Sequence, residues 1–157
     1  MRPAFTIRSA ESGDLGALVA LEERSFAGDR LSRRQLARHL GSATASLLVA
    51  EHAGVLLGDA LVFFRAGSRA ARLYSLVISA AARGQGLGRA LLEASEQVAL
   101  DRGCREMRLE VRADNPQAIT LYEHAGYRLR DLQPDYYEDG MDARRYWKQL
   151  AWKRACP

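Results

Sequence analysis

Lysine and cysteine are almost missing from this chain of 157 residues. The two cysteines are Cys104 and Cys156, the second close to the end, so no disulfide framework is implied. No apolar run approaches the ~20 residues that a membrane-spanning helix needs. The segment Met1-Arg2-Pro3-Ala4-Phe5 lacks the apolar core of a secretory signal. Together these absences predict a cytoplasmic protein without a membrane role. Lysine occurs only at Lys148 and Lys153, so all but two of the 23 basic residues are arginine. The arginines are dispersed, and no basic stripe with interleaved stacking aromatics precedes residue 144, which argues against a nucleic-acid partner. His39, His52 and His124 are scattered at spacings that suggest no metal site.

The composition that remains is ordinary for a globular protein, with 48% hydrophobic and 27% charged residues. Its length is one domain's worth, so a single domain over residues 1–157 is expected. There is no internal repeat, linker or low-complexity segment. The net charge of +4 suits a polyphosphorylated partner, although a solvated arginine surface would account for it equally well.

The chain is organised around the stretch from Leu73 to Gly103. Leu73-Tyr74-Ser75-Leu76-Val77-Ile78 is a short apolar run with β-branched residues and predicts a buried strand. Arg83-Gly84-Gln85-Gly86-Leu87-Gly88-Arg89 is a basic, glycine-rich turn. Leu87, Leu91, Ala94 and Val98 then recur at helical spacing. A strand, a glycine turn and a helix N-terminus form an anion site, because close-approaching N–H groups and the helix dipole both favour negative charge. The implied ligand is a phosphate or pyrophosphate.

Around this stretch the elements follow in simple order. Phe5–Arg8 alternates as an edge strand, and Leu15 to Phe26 marks a helix with Leu18, Leu21 and Glu22 on one face. Ser32 and Gln35 form a capping box for a second helix ending at Gly41. Ser46–Glu51 and Val55–Phe64 are strands joined by a hairpin turn, giving an antiparallel meander with the Leu73 strand. Gly58 suggests a bulge or a close backbone approach. Met107, Leu109 and Val111 alternate with Arg108, Glu110 and Arg112 in a strand that should lie parallel to the Leu73 strand, since a helix connects them. Asn115-Pro116 starts a short helix that ends at Gly126, and strands at Tyr127–Arg130 and Ala143–Leu150 complete a mixed α/β chain.

Three phosphate loops could own the glycine turn. A P-loop requires Gly-Lys-Ser/Thr, but Arg89-Ala90 follow Gly88. A dinucleotide fingerprint would place its third glycine at position 89, and too little chain follows residue 110 for the further βα units of that fold. The pattern Arg83-x-x-Gly86-x-Gly88 resembles the acetyl-coenzyme A pyrophosphate loop of the GCN5-related N-acetyltransferases, the GNAT family. The segment Leu109-Glu110-Val111-Arg112-Ala113-Asp114-Asn115-Pro116-Gln117-Ala118-Ile119-Thr120-Leu121-Tyr122-Glu123-His124-Ala125-Gly126-Tyr127 resembles a second motif of that family. Its Leu-Glu-Val-Arg start and the later Tyr136-Tyr137-Glu138-Asp139-Gly140 loop are most similar to ribosomal-protein N-terminal (alanine) acetyltransferases. The resemblance covers essentially the whole chain. It implies an α/β fold in which a mostly antiparallel sheet carries a central parallel βαβ pair and helices on both faces.

What the resemblance implies about the site can be stated residue by residue. The backbone of Leu76, Val77 and Ile78 would hold the pantetheine arm of acetyl-coenzyme A, with the Ile78 amide on the thioester carbonyl. Arg83, Gly84, Gln85, Gly86, Leu87, Gly88 and Arg89 would cradle the pyrophosphate, and Asn115 would contact the pantetheine. Tyr122 would protonate the departing thiolate; a core tyrosine on the Ala118–Ala125 stripe is the plain alternative. Glu110 is the candidate base, through a water, or else an ordinary charge paired with Arg108 or Arg112.

The acceptor amine would enter between Phe26–Ser32 and Tyr136–Asp142, with Phe26, Asp29, Tyr136 and Tyr137 as its expected contacts. Acids beside aromatics suit a cationic amine on an extended backbone, so a peptide or protein N-terminus or lysine is favoured. A small-molecule amine and a non-catalytic coenzyme A-binding module are the alternatives, the second disfavoured by the presence of both Tyr122 and Glu110. A monomer or homodimer is expected. Asp59, following Gly58, departs from the small or aromatic residue usual there and leaves the acceptor pocket open.

Overall fold

A computed structural model of the chain describes residues 5–26, 28 and 30–151. Seven strands, β1 Thr6–Ser9, β2 Ala45–His52, β3 Val55–Phe63, β4 Ala70–Ile78, β5 Glu106–Arg112, β6 Arg128–Gln133 and β7 Ala143–Gln149, form one sheet in the order β1-β2-β3-β4-β5-β7-β6. Four helices, α1 Leu15–Ser25, α2 Arg33–Leu40, α3 Leu87–Asp101 and α4 Pro116–His124, connect them. Every neighbouring pair is antiparallel except β4 with β5, which α3 links.

Local chemistry starts and stops these elements. Ser32 Oγ accepts from the Gln35 N–H while Gln35 returns a bond to the Ser32 N–H, so the α2 capping box forms as expected. Asn115 caps α4 through the Ala118 N–H, Pro116 occupies the first turn, and Gly126 ends the helix at a φ of 95°. On β5, Met107, Leu109 and Val111 are buried against the α3 side and Arg108 is exposed on the other. Gly58 meets both of its expectations. The β2–β3 register shifts between Ala50 and Glu51 beside it, and a Cβ on Gly58 would lie 2.7 Å from the Val77 carbonyl oxygen.

Two cores flank the sheet. On one face Leu87, Leu91 and Leu92 of α3 pack with Met107, Leu109 and Tyr146; on the other Leu18 of α1 and Leu36 of α2 pack with Leu47, Val49 and Leu61. The second core stops at β3. The same face of β5, β7 and β6 carries arginines instead, with the Arg108 side chain 51% exposed. The strand order differs from chain order because β7 pairs with β5 along its whole length and pushes β6 to the edge. β4 also begins three residues before the expected Leu73. That extension supplies three of the four residues of its pairing with β5, which runs only from Ala70–Leu73 to Glu106–Leu109. Beyond Leu73 the two strands part, and a cleft opens at the centre of the sheet.

Candidate active site

The cleft has a volume of about 1060 Å³ and takes its lining from α1, the α1–α2 connection, β4, β5, α4 and the β6–β7 loop. On its β4 side the cleft meets main chain as well as side chains. The Ser79 N–H donates to the Leu57 carbonyl of β3, and Ile78 lies opposite Gly58 in that register. Strand alternation then turns the N–H and C=O of Leu76 and Ile78 away from β3, toward the side that β5 has left. Half-buried main-chain groups without a strand partner are ready acceptors and donors for a ligand that mimics a strand.

The glycine turn follows directly. Gly84 and Gly86 have φ of 77° and 80°, conformations that favour glycine, and a Cβ on either would meet nothing within 4 Å. The turn therefore presents main chain to open space at the start of α3, with Gly86 as the helix N-cap. Leu87 is buried in the core, and Gly88 lies close under Leu121 of α4. Arg83 has no carboxylate partner among the described residues. Arg89 is held by Glu93 at 3.1 Å, one helical turn on.

From the β5 side come Glu110 and Tyr122. Glu110 is paired neither with Arg108 nor with Arg112: its Oε2 accepts from Arg72 Nε of β4 at 3.0 Å. Arg108 is bonded to Glu106, and Arg112 to Asp114 and Asp139. The Arg72–Glu110 bridge spans the two strands at the point where they separate, and Arg72 Nη2 also donates to the Tyr136 hydroxyl at 3.0 Å. Tyr122 is the buried residue of α4, set edge-on to Tyr127 at 5.8 Å between centroids, and it lines the cleft. Burial first, and Tyr137 second, push its phenol above the ordinary tyrosine range, so it keeps its proton. Asn115 also lines the cleft, with its side-chain oxygen committed to the α4 cap.

The far wall is the β6–β7 loop. The Tyr136 and Tyr137 amides both donate to the Met141 carbonyl, and their rings meet edge to face at 5.0 Å. Arg112 clamps this loop to β5 by a 2.6 Å bond to Asp139 and lies over the Tyr137 ring. Asp139 is thus an ordered-turn residue whose carboxyl is held below the usual range by Arg112. Phe26, Tyr136 and Tyr137 do come together along the cleft, while Asp29 lies outside the described residues.

Two buried acids lie near each other behind α1. Glu22, on the inner face of α1, is buried and lines the cleft, and its Oε2 accepts the Leu31 N–H at 2.9 Å, fixing the α1–α2 connection. Asp59 of β3 is 2% exposed, and its Oδ2 has no hydrogen-bond partner. Burial, and then the charge of Glu22, push the Asp59 carboxyl up to about 8. Arg72 and Glu22 were absent from the expected site residues. Glu22 had a sequence signal, a charge on an apolar helix stripe; Arg72 had none. Among the described residues no group of acids, histidines and cysteines could hold a metal ion, and no helix is long and apolar enough to cross a membrane.

Residues 15–127 match the family model described as the acetyltransferase (GNAT) family. Over 132 residues, 84% of this chain and 86% of the relative, the sequence is 31% identical to the [ribosomal protein bS18]-alanine N-acetyltransferase of Escherichia coli strain K12. The crystal structure of that activity from Escherichia coli superposes with a TM-score of 0.84 at 29% identity, covering 96% of this chain and 97% of the other. Ard1 from Thermoplasma volcanium matches with a TM-score of 0.84 at 25% identity over 95% and 99%. A 72-residue stretch is 43% identical to an uncharacterized N-acetyltransferase of Methanocaldococcus jannaschii, so the match spans just under half of that relative, 46%.

Proposed function

Because the chain belongs to the acetyltransferase (GNAT) family, we propose that it transfers acetyl from acetyl-coenzyme A to a primary amine on a peptide or protein, with an N-terminus as the first choice. The observation that carries this reading is the β4–β5 opening. Unpaired main chain of Leu76 lines one side, with Ile78 two residues further along β4, and Glu110 and Tyr122 come in from the other. The relative that acts on the alanine of ribosomal protein bS18 supports a polypeptide acceptor.

The residues present fit coenzyme A. The open turn at Gly84 and Gly86 leaves room for a pyrophosphate against N–H groups at the α3 N-terminus, with Arg83 free to neutralise it. The main chain of Leu76 and Ile78 supplies the strand-like contacts that a pantetheine amide can take, and the Ile78 N–H polarises the acyl carbonyl. Acetyl-coenzyme A, when bound, supplies the thioester carbon that the amine attacks.

Glu110 takes the amine proton, directly or through a water. Arg72 holds Oε2, which fixes the carboxylate and leaves Oε1 for the proton. As the C–N bond forms and the C–S bond breaks, Tyr122 gives its proton to the leaving sulfur. The burial that keeps the phenol protonated also raises the proton affinity of a thiolate released beside it. Tyr136 and Tyr137 wall the path of the acceptor backbone, and Glu22 gives the ammonium end a negative surface to approach.

Thiol release from acetyl-coenzyme A, followed with N-terminal peptides, lysine peptides and polyamines, tests the reading. Turnover of peptides is expected. Turnover confined to polyamines would assign a small-molecule acceptor, and no release with any amine would leave a binding module.

A further inference from the structure

A second cavity, of about 520 Å³, lies on the part of the sheet face that α1 and α2 leave uncovered. Arg65, Arg72, Arg108, Arg130 and Arg145 line it, and Glu110 is its one acidic residue. Arg72 is committed to Glu110. Arg108 spends only Nη2 on Glu106 and Arg145 only Nε on Asp131, which leaves further donors on each guanidinium. Arg65 and Arg130 are exposed and have no partner among the described residues. The groove is therefore positive, with planar donors suited to carboxylates. It also adjoins the acceptor cleft, since Arg72 and Glu110 line both.

We infer that this arginine groove is a subsite for acidic side chains of the acceptor polypeptide, a few residues beyond the amine that is acetylated. The inference rests on the peptide-acceptor reading above and adds to it a charge preference. The two ends of the combined channel have opposite polarity. Glu22 stands at the cleft end, and the free arginines stand at the groove end. A peptide with a cationic terminus and an acidic body matches both ends, whereas a polyamine is repelled by one of them.

Spacing says where the acids should fall. Arg145 of β7 lies directly across from Glu110, and Arg130 is on β6, one strand further. Two strand spacings of ~4.8 Å place it ~10 Å from Glu110, about three residues of extended peptide at ~3.3 Å each. Acidic side chains at positions three to five after the terminus are in reach. The aromatics of the groove are already engaged, Phe63 with His39 and Tyr74 and Phe64 with Arg102, so they offer no stacking platform for bases.

The test uses three peptides with one common N-terminal dipeptide and Glu, Gln or Lys at positions three to five, assayed by thiol release at low and high salt. The Glu peptide should show a KM about tenfold below the Gln peptide and further below the Lys peptide, with the gap narrowing as salt rises. In Arg65→Glu/Arg130→Glu, with folding checked by circular dichroism, the Glu:Gln ratio should fall to about one; Arg65→Lys/Arg130→Lys should retain most of it. Turnover of all three peptides with equal KM, or a preference that survives the charge reversal, overturns the subsite and leaves the peptide reading standing. Inert peptides beside active polyamines overturn both. Binding of a single-stranded RNA oligonucleotide that the charge reversal abolishes, with no preference among the peptides, gives the groove to nucleic acid and overturns the inference.

Discussion

The proposed donor side and the proposed acceptor side of the β4–β5 opening are built by different means. The donor side of that proposal is one continuous stretch, from Leu76 to Arg89, and it would act through main chain. Strand edge, glycine turn and helix N-terminus follow each other without interruption. The acceptor side is assembled from side chains on α1, β4, β5, α4 and the β6–β7 loop, which meet only because the sheet brings them together. Main-chain recognition is indifferent to most side chains and suits a donor of fixed structure. Side-chain recognition is particular, and on that side this chain places its least ordinary groups: the Arg72–Glu110–Tyr136 chain of contacts and the buried Glu22.

The sharpest way to break this division is Tyr122→Phe. If the phenol serves only the leaving sulfur, kcat should drop by roughly 10²–10⁴-fold while the affinity for acetyl-coenzyme A stays within about twofold. Rapid-quench or steady-state thiol release beside calorimetry reads both. Full activity would mean that solvent protonates the thiolate.

Next in size is Gly86→Asp, which attacks the donor side alone. It puts a side chain at a φ of 80° and a negative charge where pyrophosphate must meet N–H groups. Acetyl-coenzyme A binding by calorimetry should weaken by about 100-fold or more in a folded variant, and unchanged affinity would remove the turn from the site.

Asp59, buried beside Glu22, reads out in stability. Its folded pKa of about 8 is far above the ordinary value, so the folded protein keeps a proton that the unfolded chain releases. Stability should therefore fall as pH rises from about 4 to 8, by up to ~1.4 kcal/mol per pH unit, and level off above. Asp59→Asn removes this part of the decline. Its melting temperature should meet the wild-type value near pH 4 and exceed it most at pH 8–9, with a smaller slope remaining from Glu22, whose carboxyl burial also raises. Parallel melting curves across pH would show that Asp59 is solvated.

The smallest effect is expected at Tyr137→Ala, on the acceptor wall. KM for a peptide should rise by about tenfold and KM for acetyl-coenzyme A should not move. An equal rise in both would show that the β6–β7 loop serves the donor as well and would blur the two sides.

How legible each half was follows from the same contrast. Capping at Ser32 and Asn115, the Gly126 stop, the alternation of β5 and the close approach at Gly58 were all visible from neighbours within a few positions. The bridge of Glu110 was not. Its partner Arg72 is 38 residues away on another strand, while Arg108 and Arg112, the nearby candidates, turned out to serve Glu106, Asp114 and Asp139. Glu22 and Asp59 could each be noticed as a charge among apolar residues, but nothing local told that they sit together.

By itself, then, the sequence determined the elements, their caps, the glycine turn at the start of α3 and the family they belong to, because each depends on backbone geometry and periodicity within a short span. Only the tertiary structure decided that β7 would lie between β5 and β6, that β4 and β5 would part after Leu73, and which arginine each carboxylate would hold. Those outcomes depend on strand pairings between segments distant in the chain, where several registers satisfy the same local pattern and packing of both sheet faces selects one.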